Sequence, residues 1–146
     1  MRLAALALIF LAASGCAAHP DGMPEIVVDR SPCSQCGMLI SERLYAAAYR
    51  VPGAEGRVFD DVGCLVAAAR RERAGAARFW FHDGADGGVI DGAAAVFVAS
   101  PGIKTPMGGG ILAYRGEAAA SAAASQYRGE VVRSLADLLD RTGEKP

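Results

Sequence analysis

Residues 44–81 read LYAAAYRVPGAEGRVFDDVGCLVAAARRERAGAARFWF, and the order of elements in that stretch decides the fold. Leu44 to Val51 predicts a strand, because its tyrosines favour an extended, half-buried surface even though the alanines weaken the signal. Pro52-Gly53-Ala54-Glu55-Gly56 is a hairpin loop, and Arg57 to Phe59 returns as a second strand. Asp60 or Asp61 can cap the free N–H groups of a helix over about residues 62–73. Val62, Leu65, Val66 and Ala69 give that helix one apolar face, Arg70 to Arg73 end it in charge, and Gly75 is the expected stop. Ala77 to Phe81 then reads as a buried strand, followed by a loop over His82 to Gly88.

The second half repeats this order. Ala94 to Ala99 is a strand, Ser100 to Gly110 a loop rich in Gly and Pro, and Ile111 to Arg115 a strand. Glu117 to Tyr127 is an Ala-rich helix, too short to span a membrane, and Glu130 to Arg133 a short strand. Ser134, with Asp137 three residues on, caps a last helix from Leu135 to Arg141. The fold class expected is therefore α+β: two related strand-strand-helix-strand units with mainly antiparallel sheet. Outward toward the N-terminus, Ile26 to Val28 is a candidate strand, and Ser31 to Met38 is a turn-rich loop with two cysteines.

The first residues are an export signal. Arg2 precedes an unbroken apolar run from Leu3 to Ala13, well short of the ~18–20 residues a spanning helix needs. Ala13-Ser14-Gly15-Cys16 resembles a bacterial lipobox, whose Cys is acylated and becomes the first mature residue; Leu is usual where Ala13 stands. The expected organisation is a lipoprotein signal peptide over 1–15, a tether over 16–30 and a metal-binding domain over 31–146. Acylated Cys16 would hold the protein on a membrane without a spanning helix, and Ala17 rather than Asp after it favours the outer membrane. The 146 residues carry a formal net charge of −1, so no basic field attracts nucleic acid.

With Cys16 acylated, Cys33, Cys36 and Cys64 remain, and three thiols cannot all pair within one chain. Cys33-Ser34-Gln35-Cys36-Gly37-Met38 is the strongest chemical signal. A tight loop can turn both thiols of a CxxC toward one ion, and Met38 adds a thioether beside them. Thiolate and thioether are soft donors, which select Cu(I) over Mg, Ca or Mn. Other readings stay open. A structural zinc site would need Cys64 and His82 to complete four ligands. A redox CxxC would sit at a helix N-terminus, whereas Pro32 precedes this one and no helix is expected after it. A plain disulfide is the remaining alternative.

Thr105-Pro106-Met107-Gly108-Gly109-Gly110 presents a methionine on a Gly-rich loop, where it serves as a ligand or a lid more readily than as core filler. Phe59-Asp60-Asp61-Val62-Gly63-Cys64 reads first as a helix cap with Cys64 buried in the opening turn. His82 reads as a satisfied strand-end residue, and His19 as part of the tether. Asp83, Asp86 and Asp91 do not have the spacing of an EF-hand. No GxSxG, HExxH or Walker motif is present.

The series lipobox, CxxCGM, FDDxGC, Trp80 and TPMGGG followed by an aromatic strand resembles the NosL family over roughly residues 31–140. That resemblance implies a lipid-anchored, periplasm-facing copper protein of the bacterial cell envelope. It implies delivery of Cu(I) to nitrous oxide reductase and its copper-assembly machinery during maturation for denitrification. It also implies a fold like that of organomercurial lyase. Carried over motif by motif, the metal residues are Cys33, Cys36, Met38 and Met107, with Cys16 as the lipidation site and Cys64 and His82 matching only weakly. The mechanism implied is binding and transfer, not catalysis. The alternatives are a thiol-disulfide oxidoreductase and a zinc or general metal-trafficking lipoprotein using the CxxC.

Overall fold

The computed structural model describes residues 22–141. The expected signal segment, Cys16 and His19 lie outside the described residues. Strands β1 (Ala47–Arg50) and β2 (Arg57–Phe59) form an antiparallel hairpin. Helix α1 (Val62–Glu72) follows, and β3 (Arg78–His82) returns antiparallel on the other side of β1. A further strand, β4 (Val89–Asp91), pairs with β3 and completes a sheet of order β2-β1-β3-β4. In the second half β5 (Ala95–Ala99) and β6 (Ile111–Arg115) form a hairpin, α2 (Glu117–Tyr127) follows, and β7 (Glu130–Val132) pairs with β5. This sheet has the order β6-β5-β7, the arrangement of β2-β1-β3 repeated. The chain is α+β with antiparallel sheets. A closing helix, α3 (Leu135–Asp140), is capped by Ser134, whose Oγ accepts from the Asp137 N–H at 3.0 Å.

Tyr49, Phe79 and Phe81 of the first sheet meet Phe97, Ala113 and Val132 of the second. Leu65, Val66 and Ala69 of α1 and Leu138 of α3 close the same core. Phe81 and Phe97 contact edge-to-face at 4.9 Å across the two units. Backbone joins them too: Gly84 N–H donates to the Ala113 carbonyl at 2.7 Å. The other face of the first sheet, with Ala46, Ala48 and Trp80, is covered by Ile26 and Ile40. The other face of the second sheet, with Val98, Leu112 and Tyr114, is covered by Ala120 and Ala123 of α2.

Several expectations shift. Ile26 to Val28 is not a strand: the Val27 carbonyl accepts from Arg30 at 3.1 Å and Ser31 at 2.8 Å, a turn that leaves Ile26 buried over Trp80. Packing of the domain thus extends N-terminal of residue 31, with Pro24 also buried. The Leu44–Val51 strand is shortened, because Arg43–Tyr45 forms a single 3₁₀ turn before β1. Helix α1 stops at Arg73 rather than Gly75. Arg73 adopts the left-handed conformation (φ 52°), and its N–H bonds back to the Ala69 and Arg70 carbonyls. Strand β4 was not expected after the 82–88 loop. It offers one buried side chain, Ile90, and exists because the edge of β3 needs a partner for its backbone groups.

Candidate metal centre

The CxxC loop is shaped by its own backbone. Cys33 N–H donates to the Met38 carbonyl at 2.7 Å, and Gly37 N–H to the Cys33 carbonyl at 2.8 Å. Gly37 takes φ 78°, which a residue without Cβ adopts at little cost. An antiparallel bridge between Pro32 and Leu39 closes the base. Ser34 then fastens the loop to the edge of the first sheet: its N–H donates to the Val58 carbonyl at 2.8 Å, and its Oγ accepts from Val58 N–H at 3.2 Å. Arg57 donates to the Ser34 carbonyl at 3.0 Å, and Arg71 of α1 to Gln35 Oε1 at 2.5 Å. The loop is thereby held against β2 and α1.

This docking brings Cys33 and Cys36 to the first turn of α1, where Cys64 sits. The three Sγ atoms all lie within 4.8 Å of one another. Their environments differ. Cys33 is buried, Cys64 half-buried and Cys36 exposed, and none forms a disulfide. Burial alone would raise the pKa of Cys33. Hydrogen bonds to its sulfur from the backbones of Asp60, Cys36 and Gln35, and from the Cys36 thiol, outweigh it and hold the pKa below the ordinary thiol value. Burial first, and then the charges of Cys33 and Asp61, push the Cys64 thiol up. The three sulfurs thus sit in three settings: Cys33 with its pKa lowered by hydrogen bonds, Cys64 with its pKa raised by burial, and Cys36 open to solvent. Such a set of soft donors suits a soft monovalent cation.

Asp61 is fully buried at the start of α1. Its Oδ1 accepts from Gly63 N–H at 2.5 Å and caps the helix. Its Oδ2 accepts from three groups of the TPMGGG loop: the Thr105 hydroxyl, Met107 N–H at 3.3 Å and Gly109 N–H at 3.1 Å. The backbones come so close that a Cβ on Gly63 would lie 2.9 Å from the Gly109 Cα. The loop from the second unit therefore folds back onto the helix that carries Cys64. Met107 is 38% exposed and Met38 58% exposed; Met38 lies on the thiol loop itself, and Met107 on the loop held to Asp61.

A family model for NosL matches residues 25–138. The chain belongs to the NosL family. Among solved structures it is similar to the crystal structure of the copper chaperone NosL from Shewanella denitrificans, with a TM-score of 0.69 and 20% sequence identity. The match covers 80% of this chain and 99% of that one, and at such identity it speaks for the NosL fold. No curated protein sequence matches the chain.

Within this NosL fold the sequence-predicted residues separate. Cys33 and Cys36 come together as expected, and Cys64, read from sequence as a buried capping-turn cysteine, joins them. The signal was its place in the first turn of a helix whose cap lies next to the CxxC loop. His82 does not join. It lies on the face of β3 that carries Trp80, and its Nδ1 is 2.8 Å from the Ala46 carbonyl. Burial lowers its pKa, because the charged ring is disfavoured there. A four-ligand zinc site from three cysteines and His82 is therefore not assembled. Asp61 was legible as a cap, but its grip on the Met107 loop was not.

Proposed function

We propose that this chain is a Cu(I) chaperone, anchored through acylated Cys16 at the periplasmic side of the bacterial cell envelope, which hands copper to nitrous oxide reductase during its maturation. The observation that carries the metal-binding part is the meeting of three cysteine sulfurs within 4.8 Å. Soft sulfur donors favour Cu(I) over harder divalent ions. Membership of the NosL family supports copper as the cargo, as does the likeness to a structure titled a copper chaperone. Delivery and anchoring rest on the lipobox and the family motifs.

Exchange follows from the exposure gradient. Cys33 holds the ion from the buried side, while Cys36, Met38 and Met107 face solvent, where an incoming ligand can attack. Loading a cation onto thiols releases their protons, so uptake strengthens as pH rises. The ligands are Cys33, Cys36, Met38 and Met107, with Cys64 as a further sulfur.

The test is competition between Cu(I) and Zn(II) for the reduced domain, run beside a disulfide-reductase assay. Cu(I) should win, and Met107→Ala should weaken it at least about tenfold, roughly 1.4 kcal/mol. Preferential retention of zinc, or equal copper affinity in Met107→Ala together with real reductase turnover, would replace the chaperone with the zinc or thiol-disulfide reading. Cys16→Ser should move the protein from the detergent to the aqueous phase.

A further inference from the structure

We infer that Asp61 is a positioning residue that sets Met107 of the second unit against the thiols of the first, so that the copper site is assembled across the internal repeat. This rests on the copper-binding reading above and names the group that builds its second half. Two sets of hydrogen bonds converge on the Asp61 carboxylate. One oxygen of Asp61 caps Gly63, the residue before Cys64, at 2.5 Å. The other oxygen takes Met107 N–H at 3.3 Å, Gly109 N–H at 3.1 Å and the Thr105 hydroxyl. A single buried carboxylate thus holds the residue before Cys64 and the residues on either side of Met107, two sulfur-bearing positions far apart in sequence.

The chemistry requires an acceptor here, not merely a polar residue. Both oxygens receive donors only, and all of those donors come from the α1 start or the TPMGGG loop. Oδ2 receives three of them, more than a side chain that must also place a donor of its own could accept there. Gly63 and Gly109 permit the approach: a Cβ on Gly109 would fall onto the Asp61 carboxylate. Thr105 reinforces the loop by accepting from Gly110 N–H at 3.2 Å with the same hydroxyl it donates to Asp61. Loss of the acceptor therefore frees the loop tip while leaving the thiol loop, which is held by β2 and Arg71, in place.

Asp61→Asn keeps one oxygen for the helix cap and turns an NH₂ toward the Met107 and Gly109 N–H groups, which it cannot accept. The experiment is a Cu(I) competition titration on wild type, Asp61→Asn, Met107→Ala and the double variant of the reduced domain. Asp61→Asn should weaken Cu(I) about tenfold, as Met107→Ala does. The double variant should be no weaker than Met107→Ala alone, because a positioning residue has nothing left to position. Amide exchange at Met107 and Gly109 should rise in metal-free Asp61→Asn while α1 stays protected. Wild-type affinity in Asp61→Asn, or a double variant weakened by the product of the two single effects, overturns the inference. Failure of wild type to take up Cu(I) would instead overturn the copper reading itself, and the exchange result would still decide whether Asp61 holds the loop. If Asp61→Asn does not fold, Thr105→Val removes one donor, leaves the cap intact, and should show the same non-additivity with Met107→Ala on a smaller scale.

Discussion

The two strand-strand-helix-strand units share a strand order but not a chemistry. In the first, the β1–β2 turn is short and α1 begins with a buried aspartate, followed by a cysteine in its opening turn. In the second, the corresponding β5–β6 connection is the long 100–110 loop. Helix α2 starts at Gly116 (φ 99°) with no side-chain cap, and its own side chains are mostly alanine. The first helix is clamped by chemistry: Tyr49 donates to Glu72, which also pairs with Arg57 at 3.1 Å. The second is tied at its end by a neutral hydroxyl, Ser100 Oγ, which donates to the Tyr127 carbonyl at 2.6 Å. One copy of the unit holds the thiols, and the other has a longer hairpin loop that docks on Asp61 at the start of the helix that carries Cys64. A repeated scaffold can thus place two chemically dissimilar segments against one helix start, provided that the two sheets share a core.

That dependence can be broken most strongly at the core. Phe97 is fully buried against Phe81 of the other unit, and Phe97→Ala should cost about 3–5 kcal/mol. Urea unfolding followed by both tryptophan fluorescence and circular dichroism should keep a single, coincident transition at lower midpoint. Two separated transitions would show that the units fold independently and that the comparison overstates their union.

A smaller effect separates the helix clamps. Tyr49→Phe removes one hydrogen bond to Glu72, whose side chain keeps 29% exposure and two arginine partners, so the loss should be about 1 kcal/mol. The same bond pushes the Tyr49 pKa up to about 12, after burial, and is the first cause of the lowered pKa of Glu72. A carboxylate with depressed folded pKa stabilises above its unfolded value, and that stability fades as pH falls through its folded value. The gap between wild type and Tyr49→Phe should therefore narrow in acid. A gap constant with pH would mean that the bond owes nothing to the charge on Glu72.

The smallest effect tests the symmetry itself. Arg73 and Arg128 end the two helices in nearly the same left-handed conformation, φ 52° and φ 50°. Glycine at either position should stabilise by up to about 1 kcal/mol, because it removes the Cβ penalty of that conformation. Equal gains in thermal midpoint at both sites would confirm equivalent caps. A loss at one alone would show that its arginine side chain stabilises the fold there.

Much of this molecule is legible in its sequence. Ile111–Arg115 and Glu117–Tyr127 fall where the sequence predicts them, because glycines bound them and their compositions differ, an apolar and aromatic strand against a run of helix-favouring alanine. Ser134 caps the last helix as read. The α+β repeat follows from element order, since alternation of β-formers, caps and helix formers is local information. The CxxCGM and TPMG motifs marked Cys33, Cys36, Met38 and Met107 as residues with soft-donor chemistry. What the local signal misread was short or context-dependent: β4 with its one buried side chain, the turn at Val27, and the helix stop at Arg73 instead of Gly75.

The tertiary structure alone decided which cysteines meet and what joins the halves. Cys64 lies far from the CxxC in sequence, and a cysteine in a capping turn reads as core until the loop is seen lying against β2 and α1. His82 could have been a ligand until strand alternation put it on the Trp80 face, away from the thiols. Asp61 accepts one bond from its own helix and three from a loop more than forty residues away in sequence. Residue type and local spacing determine what each side chain can donate or accept, because that is written in its own atoms and immediate neighbours. Which partners it receives depends on where distant backbone is placed, and here that placement is set by two sheets packing on one core.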